Sequence, residues 1–563
     1  MKLHKSMLFA VLFLPGLLIG QAGTPGTTTS DSQQMSSQMK SLEQAIAQQK
    51  EAIARQQESI AQQQKQIEAL EKKLAEEQNA QARVVDASLT TSSPANPTLV
   101  QGDVQKPKES PLSFRIGGAD FTPGGFVDFE NVFRSTNTTN VAGTNWWAIP
   151  FSNTVQGHLS EFRSTGQYSR FNLKVNTKFA GTDVTGFIEF DFNGNDPANV
   201  FVTSNSHTDR LRLYWVNLKR GKWEFLGGQS WGLLTVNRVG VSPNSGDVFT
   251  TFNEDGNHNV GANFTRASQF RVTWHPNDNF AWAFALENPQ QFTGQGAEVV
   301  FPTAFNATLT PQFDSNANAG APNLFPDLIS KIAYDSNPGG KHFHWEAAGA
   351  LTTVKITNIP TFTGATFAHH SGLGGGFSTA LNYELLKTKS GRNLRVLANG
   401  LWGTGLGRYL IGTGPQAVVA AVPTNGGPCT SAGNCDLAVS MVHSGNGLLG
   451  LEFLAHPKAQ FALYYGGAYF QRNAFPDLTS AAVVKPTIGF GGVGEANASV
   501  QNRSIQEGTI DWVQTFWKNP QYGAVLLITQ YSYVTRSPWF VPAGAPKNAH
   551  LSMGYVSLRY VLP

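Results

Sequence analysis

The stretch Tyr168-Ser-Arg-Phe-Asn-Leu-Lys-Val-Asn-Thr-Lys-Phe179 decides the fold. Phe171, Leu173, Val175 and Phe179 fall on one side of a two-residue period; Arg170, Asn172, Lys174, Asn176 and Lys178 fall on the other. A period of two with one apolar and one wet face is a β-strand, because successive side chains point to opposite faces of a sheet. The next segment, Val184 to Asn193, sets Val184, Ile188, Phe190 and Phe192 against Thr185, Glu189 and Asp191. At the other end of the chain Gly554, Val556, Leu558, Tyr560 and Leu562 share a face. No helical period appears between Phe114 and Pro563.

The connections between such segments alternate in length. Short turns stand at 180–182, 220–222, 275–279, 337–341, 389–393, 456–458 and 518–521. Long polar stretches lie at 135–166, 193–207, 232–266, 289–326, 358–372, 410–441, 474–502 and 537–548. Seven short and eight long connections join sixteen antiparallel strands with both ends of the sheet on the short-turn side. Even strand number, short turns at one end and long loops at the other form the outer-membrane barrel pattern. Trp223, Trp274, Trp282, Trp345, Trp517 and Tyr522 cluster near the short turns, where amphipathic rings suit a membrane–water interface. The fold class expected is all-β, a 16-stranded antiparallel transmembrane β-barrel over 114–563.

Composition agrees. Of 563 residues, charged types make up only 14% and hydrophobic types 40%, with 57 Gly and 38 Phe. Globular chains carry about 25% charge, so a lipid belt that excludes charge explains the deficit. A net charge of +3 argues against a nucleic-acid partner. The expected partners are outer-membrane lipid and small hydrophilic or anionic solutes.

The segment before the barrel has three parts. Residues 1–22 read as a signal peptide: Lys2, His4 and Lys5, an apolar run over Met7–Ile19, and Gly20-Gln21-Ala22 as the cleavage site. Residues 35–78 then carry Met39, Ile46, Ile53, Ile60, Ile67 and Leu74 at seven-residue spacing, interleaved with Met35, Leu42, Gln49, Gln56, Gln63 and Leu70. This a/d pattern predicts an N-terminal α-helical coiled coil, and Ile at a favours a parallel trimer. Residues 79–113, with Pro94, Pro97, Pro107 and Pro111, form a linker. The only cysteines, Cys429 and Cys435, are six apart in a Gly/Pro/Asn-rich stretch, where a loop disulfide fits better than a metal site.

If the apolar face meets lipid, the polar face lines a lumen, and sixteen strands leave an aqueous channel. Alternation places Arg170, Lys174, Lys178, Arg210, Arg212, Arg271 and Arg395 on that face, with Glu189, Asp191, Glu287, Glu384 and Glu452 as acids. Arg210 and Arg212 beside Arg170 and Lys174 would form a ladder favouring anions. Loop 232–266 carries Arg238, Asp247, Glu254, Asp255, His258 and Arg266, and is expected to fold inward as a constriction. His342, His344 and Glu346 share one strand face, which suits a wet barrel wall better than a metal centre. No GxSxG elbow and no Gly-rich loop ending in Lys-Ser/Thr occurs. The residues imply no catalytic site, no metal and no cofactor.

The segment order, together with Phe114-Arg-Ile-Gly-Gly-Ala-Asp-Phe121, Gly125-Phe-Val-Asp-Phe129, Leu211-Arg-Leu-Tyr-Trp-Val-Asn-Leu218 and Phe225-Leu-Gly-Gly-Gln-Ser-Trp231, resembles DcaP-like trimeric porins of the outer membrane. The resemblance covers the mature chain. It implies a homotrimer, a coiled coil in the periplasm, and passive uptake of small, often anionic solutes such as dicarboxylates. One departure is the end of the last strand, Tyr560-Val-Leu-Pro563, which lacks the usual terminal aromatic. The alternative from another class is an envelope structural or adhesion protein, with the coiled coil as tether and the barrel as anchor.

Overall fold

The computed structural model describes residues 110–563, apart from 139–142, 195–206, 245–258, 297, 316–319, 411–412, 425–426 and 430–432; before 110 it describes only Ala47 and Lys50, both helical. The signal peptide, the linker up to 109 and the heptad series lie outside the described residues.

Sixteen strands follow in chain order. They are β1 (Ala119–Arg134), β2 (Glu161–Thr165 continued by Arg170–Phe179), β3 (Thr182–Asp191) and β4 (Arg210–Arg220). Next come β5 (Trp223–Trp231), β6 (Arg266–Asn277), β7 (Phe280–Glu287) and β8 (Asp327–Ser336). Then come β9 (Phe343–Asn358), β10 (Ala368–Lys387), β11 (Asn393–Thr404) and β12 (His443–His456). The set ends with β13 (Ala459–Phe470), β14 (Asn502–Asn519), β15 (Gly523–Pro538) and β16 (Ala549–Val561). Each pairs antiparallel with the next, and β16 returns to β1 from Val561↔Phe126 to Met553↔Arg134. The sheet is therefore a closed sixteen-stranded barrel, and closure removes the sheet edges.

All seven short turns and eight long loops fall where the sequence puts them, with two shifts: the first long loop, expected over 135–166, ends early because Glu161–Thr165 pairs with β1. The fifth long loop, expected over 358–372, also ends early, because Ala368–Gly372 pairs with β9 down to Ala368↔Asn358. This stretch reads as a loop, but it serves as a strand against which a second layer rests: a Cβ on Gly372 would crowd Met441 and Val439 of the sixth long loop. The first short turn shows the hairpin chemistry plainly. Ala180 (φ 48°) and Gly181 (φ 78°) both take positive φ between Phe179 and Thr182, as a two-residue type I′ turn requires.

The two faces are inverted relative to a soluble protein. On β1, Asp128, Glu130 and Arg134 are buried while Phe129 and Phe133 are more than half exposed. The same holds around the ring: Phe225, Phe270, Phe284, Leu351, Phe377, Leu449, Leu463 and Ile510 are all exposed on the outside. A polar interior wrapped by an exposed apolar band is how a barrel sits in lipid. Trp223, Trp282, Trp345, Trp517 and Tyr522 are exposed on this outer face near the short turns. Trp282 donates its indole N–H to Ser330 Oγ (2.9 Å) and Trp345 to Thr379 Oγ1 (3.1 Å), so neither polar group is left bare there.

At the opposite end the long loops build their own layer. The fourth contains a short helix (Asn306–Leu309), the sixth a hairpin (Ala417–Pro423 with Cys435–Met441), and the seventh a smaller hairpin (Asn473–Pro476 with Thr487–Phe490). Phe305, Leu309, Phe313, Val419 and Leu437 pack around the Cys429–Cys435 disulfide. Val300 pairs with Gly489, and Thr303 Oγ1 donates to Asp477 Oδ2 (2.5 Å), joining the fourth and seventh loops.

Candidate functional site: the inner wall and the third long loop

The two described arms of the third long loop, 232–244 and 259–265, turn into the barrel rather than away from it. Its start is held by Leu233 N–H, which donates to Glu287 Oε1 (2.7 Å) on β7. Further in, Asn237 N–H reaches Glu346 Oε2 (3.3 Å) and Gly240 N–H reaches Asp335 Oδ2 (2.9 Å). Arg238 crosses to β12, where its two terminal nitrogens donate to both oxygens of Glu452 at 2.8 and 2.6 Å. A forked pair of this kind is the strongest ordinary side-chain clamp. Asp247, Glu254 and Asp255 lie outside the described residues.

The returning arm of the loop lies flat on β11 to β14. Val260 N–H donates to Glu507 Oε2 (2.9 Å) and Asn259 Nδ2 to Thr509 Oγ1 (2.9 Å). Asn399 donates to Gly261 O (2.9 Å) and Asn446 to Ala262 O (3.0 Å). Backbone meets backbone here only because side chains are missing. A Cβ on Gly466 would overlap the Val260 carbonyl, and one on Gly261 (φ 97°) would overlap that of Gly447.

Arg170, Lys174, Arg210, Arg212, Arg271 and Arg395 all lie on the inner face, but the basic ladder does not stand free. β3 separates the arginines of β2 from those of β4, and its Glu189 and Asp191 lie between them. Arg212 donates to Glu189 (2.9 Å) and to Asp191 (2.6 Å) with its side chain fully buried. Arg210 spans both oxygens of Asp191, Oδ1 at 3.0 Å and Oδ2 at 2.7 Å, sharing Oδ2 with Arg212, and Arg170 stands 3.9 Å from Glu189. A bulge between Glu189 and Phe190 makes the room: Glu189 faces Leu213 and Phe190 faces Leu211, so Arg212 is the extra residue. Sequence alternation runs straight through this bulge and misses it; a bulge re-aims side chains. Arg271 is buried beneath the loop, donating to Trp231 O (2.7 Å) and Ser230 Oγ (3.1 Å). Arg395 pairs with Glu384 (3.0 Å). Lys178 sits at the short-turn rim, exposed and paired with Asp183 (3.3 Å).

His342, His344 and Glu346 share the inner face as expected, but they serve the loop. His344 bridges Asp335 Oδ1 (2.9 Å) and Glu346 Oε2 (3.3 Å), and Lys331 Nζ donates to Glu346 Oε1 (2.8 Å) and Thr235 O (2.7 Å). Among the described residues no group of three or more His, Cys, Asp or Glu is placed to hold a metal. The functional residues that sequence reading omits are Lys331, Asp335, Asn399, Asn446 and Gly466. Each acquires its role only once the loop lands on it.

One acid in the loop layer stands apart. Glu298 is fully buried, and neither carboxyl oxygen has a hydrogen-bond partner among the described residues. Burial pushes its pKa well above the ordinary value, opposed by Arg536. An acid whose folded pKa is raised binds more protons folded than unfolded, so stability is full below about pH 4.5 and declines as pH rises toward the folded value. Glu298→Gln is therefore expected to slow amide exchange in the fourth and seventh loops at pH 7.5 and to flatten its pH dependence. Equal exchange in the two proteins would contradict this.

No protein-family model matches the sequence, and no curated protein does. Among solved structures the chain is similar to the outer membrane channel DcaP of Acinetobacter baumannii, at 16% identity and TM-score 0.49, covering 79% of this chain and 98% of that one. It is also similar to OprB of Pseudomonas putida (10% identity, TM-score 0.41, 78% and 94% covered) and to OmpF of Salmonella typhi (11%, 0.40, 80% and 100%). The chain is a closed sixteen-stranded antiparallel barrel, a fold similar to that of the DcaP channel.

Proposed function

We propose that the protein is an outer-membrane porin for passive diffusion of small hydrophilic solutes, with loop 232–265 as its constriction. The observation that carries this is the inverted barrel: a closed sheet with an apolar outer belt, a charged inner wall, and one loop hydrogen-bonded to that wall from β7 to β14. Sixteen strands enclose more space than side chains fill. The loop narrows that space and is held by fixed pairs, Arg238–Glu452 above all. The wall charges are largely matched locally, so selectivity is weak. What anion preference exists, for solutes such as dicarboxylates, is a property of the whole inner wall, because its arginines are held by Glu189, Asp191, Glu384 and Glu452. The heptad segment assembles three chains in the periplasm.

The test is purified full-length protein in a planar lipid bilayer. Stepwise, ion-conducting insertions are expected. Stable insertion without conductance would leave the tether-and-anchor reading.

A further inference from the structure

We propose that the outer surface of the barrel carries a binding site for the phosphate-bearing headgroup of a membrane lipid, built on Arg472, Arg503 and Trp539. The three come from neighbouring strand ends at the long-loop edge. Arg472 follows β13, Arg503 is the second residue of β14, and Trp539 follows β15. Both guanidinium carbons lie 5.9 Å from the centre of the Trp539 ring. Arg503 is the extra residue of a bulge, where Asn502 faces Pro538 and Ser504 faces Ser537. This is the device that re-aims a side chain at a barrel rim.

The indole is fixed. Its N–H donates to Phe470 O (2.9 Å), and its backbone N–H to Gln501 O (3.0 Å). Gly491 (φ 82°) of the seventh loop closes on it, where a Cβ would crowd both Trp539 and the stem of Arg472. The arginines are exposed, and among the described residues neither forms an ion pair. Most inner-wall arginines are matched to carboxylates, Arg212, Arg238, Arg408 and Arg559 among them, whereas here two exposed like charges share one ring, which marks a place for an anion from outside.

The site continues downward into the apolar band. Trp539 meets Tyr469 edge-on (6.2 Å), and Tyr469 stacks on Trp402 (6.4 Å). Below them Leu449, Leu463 and Tyr465 are exposed on the same outer face. Arginine binds phosphate oxygens in forked pairs, and an aromatic row at this level is where headgroup meets acyl chain. A free phosphate would use only the arginines; a lipid uses the cations, the indole and the apolar wall beneath.

The experiment is native mass spectrometry of the full-length protein in detergent, titrated with diphosphorylated lipid A, its dephosphorylated form, or inorganic phosphate. The wild type is expected to bind the phosphorylated lipid at least about tenfold more tightly than the dephosphorylated one, about 1.4 kcal/mol. Arg472→Ala with Arg503→Ala is expected to abolish that difference, and Arg472→Lys with Arg503→Lys to retain part of it. Heat-dependent gel mobility verifies that each variant is folded, and single-channel conductance stays at the wild-type value. Equal binding by the alanine double variant would overturn the proposal. Displacement of the lipid by millimolar inorganic phosphate would overturn it too, by showing a bare anion site. Conduction is a separate property: failure here leaves the channel reading standing, and failure of conduction leaves this site standing.

Discussion

Arg212→Ala is expected to cost the folded barrel about 3–5 kcal/mol, read as a lower denaturant midpoint of the reconstituted protein. Its side chain is fully buried and holds two carboxylates, Glu189 at 2.9 Å and Asp191 at 2.6 Å. Removing one partner of a buried ion pair leaves charge uncompensated, and that is the costly operation. Asp191 retains Arg210 at 2.7 Å, so Glu189 suffers most. Adding Glu189→Gln to Arg212→Ala should therefore recover much of the loss. Arg210→Ala alone should cost less, since that side chain is partly exposed. An unchanged midpoint in Arg212→Ala would mean that water reaches Glu189 and Asp191, and that the cluster is an open charged wall.

Gly466→Val acts on the loop from the opposite wall. The Gly466 position points inward on β13, and its missing side chain is where the Val260 carbonyl rests. A valine there must push the returning arm toward the barrel axis. Overpacking of this kind costs about 1–3 kcal/mol, and the displaced backbone takes area from the channel. Single-channel conductance is expected to fall while the barrel still folds. Gly467→Ala beside it is a control. That residue lies on the other face, and a Cβ there meets its nearest neighbours, Gln506 and Ile505, at 3.4 Å. Conductance unaffected by Gly466→Val would place the loop outside the conducting path.

Much of this barrel is legible in its sequence. The alternation in Tyr168–Phe179 and the spacing of turns determine strand number, because lipid demands one apolar face and short turns recur on one side only. The Cys429–Cys435 bridge was legible from loop context and is present. What was not legible depends on which strands become neighbours. Arg170 and Arg212 looked like one basic ladder because alternation says which face a residue takes, not what stands between. The acidic pair on β3 and the bulge at Arg212 change that ladder into a neutralised cluster. The same limit applies to Gly261, Gly447 and Gly466. Far apart in sequence, they read as ordinary strand and loop glycines until closure brings the loop against the wall. Ala368–Gly372 shows the converse, where a polar stretch reads as loop and pairing with β9 makes it strand.

The central claim is that a water-filled channel runs through this barrel and that loop 232–265 sets its narrowest part. Its most direct test is the single-channel conductance of the protein lacking Ser242–Gly256, measured beside the wild type in the same bilayer and salt. That deletion keeps the Arg238–Glu452 clamp and the Val260–Gly466 seat and removes the segment between them. A higher conductance in the deleted protein is the predicted result. An identical conductance would contradict the account.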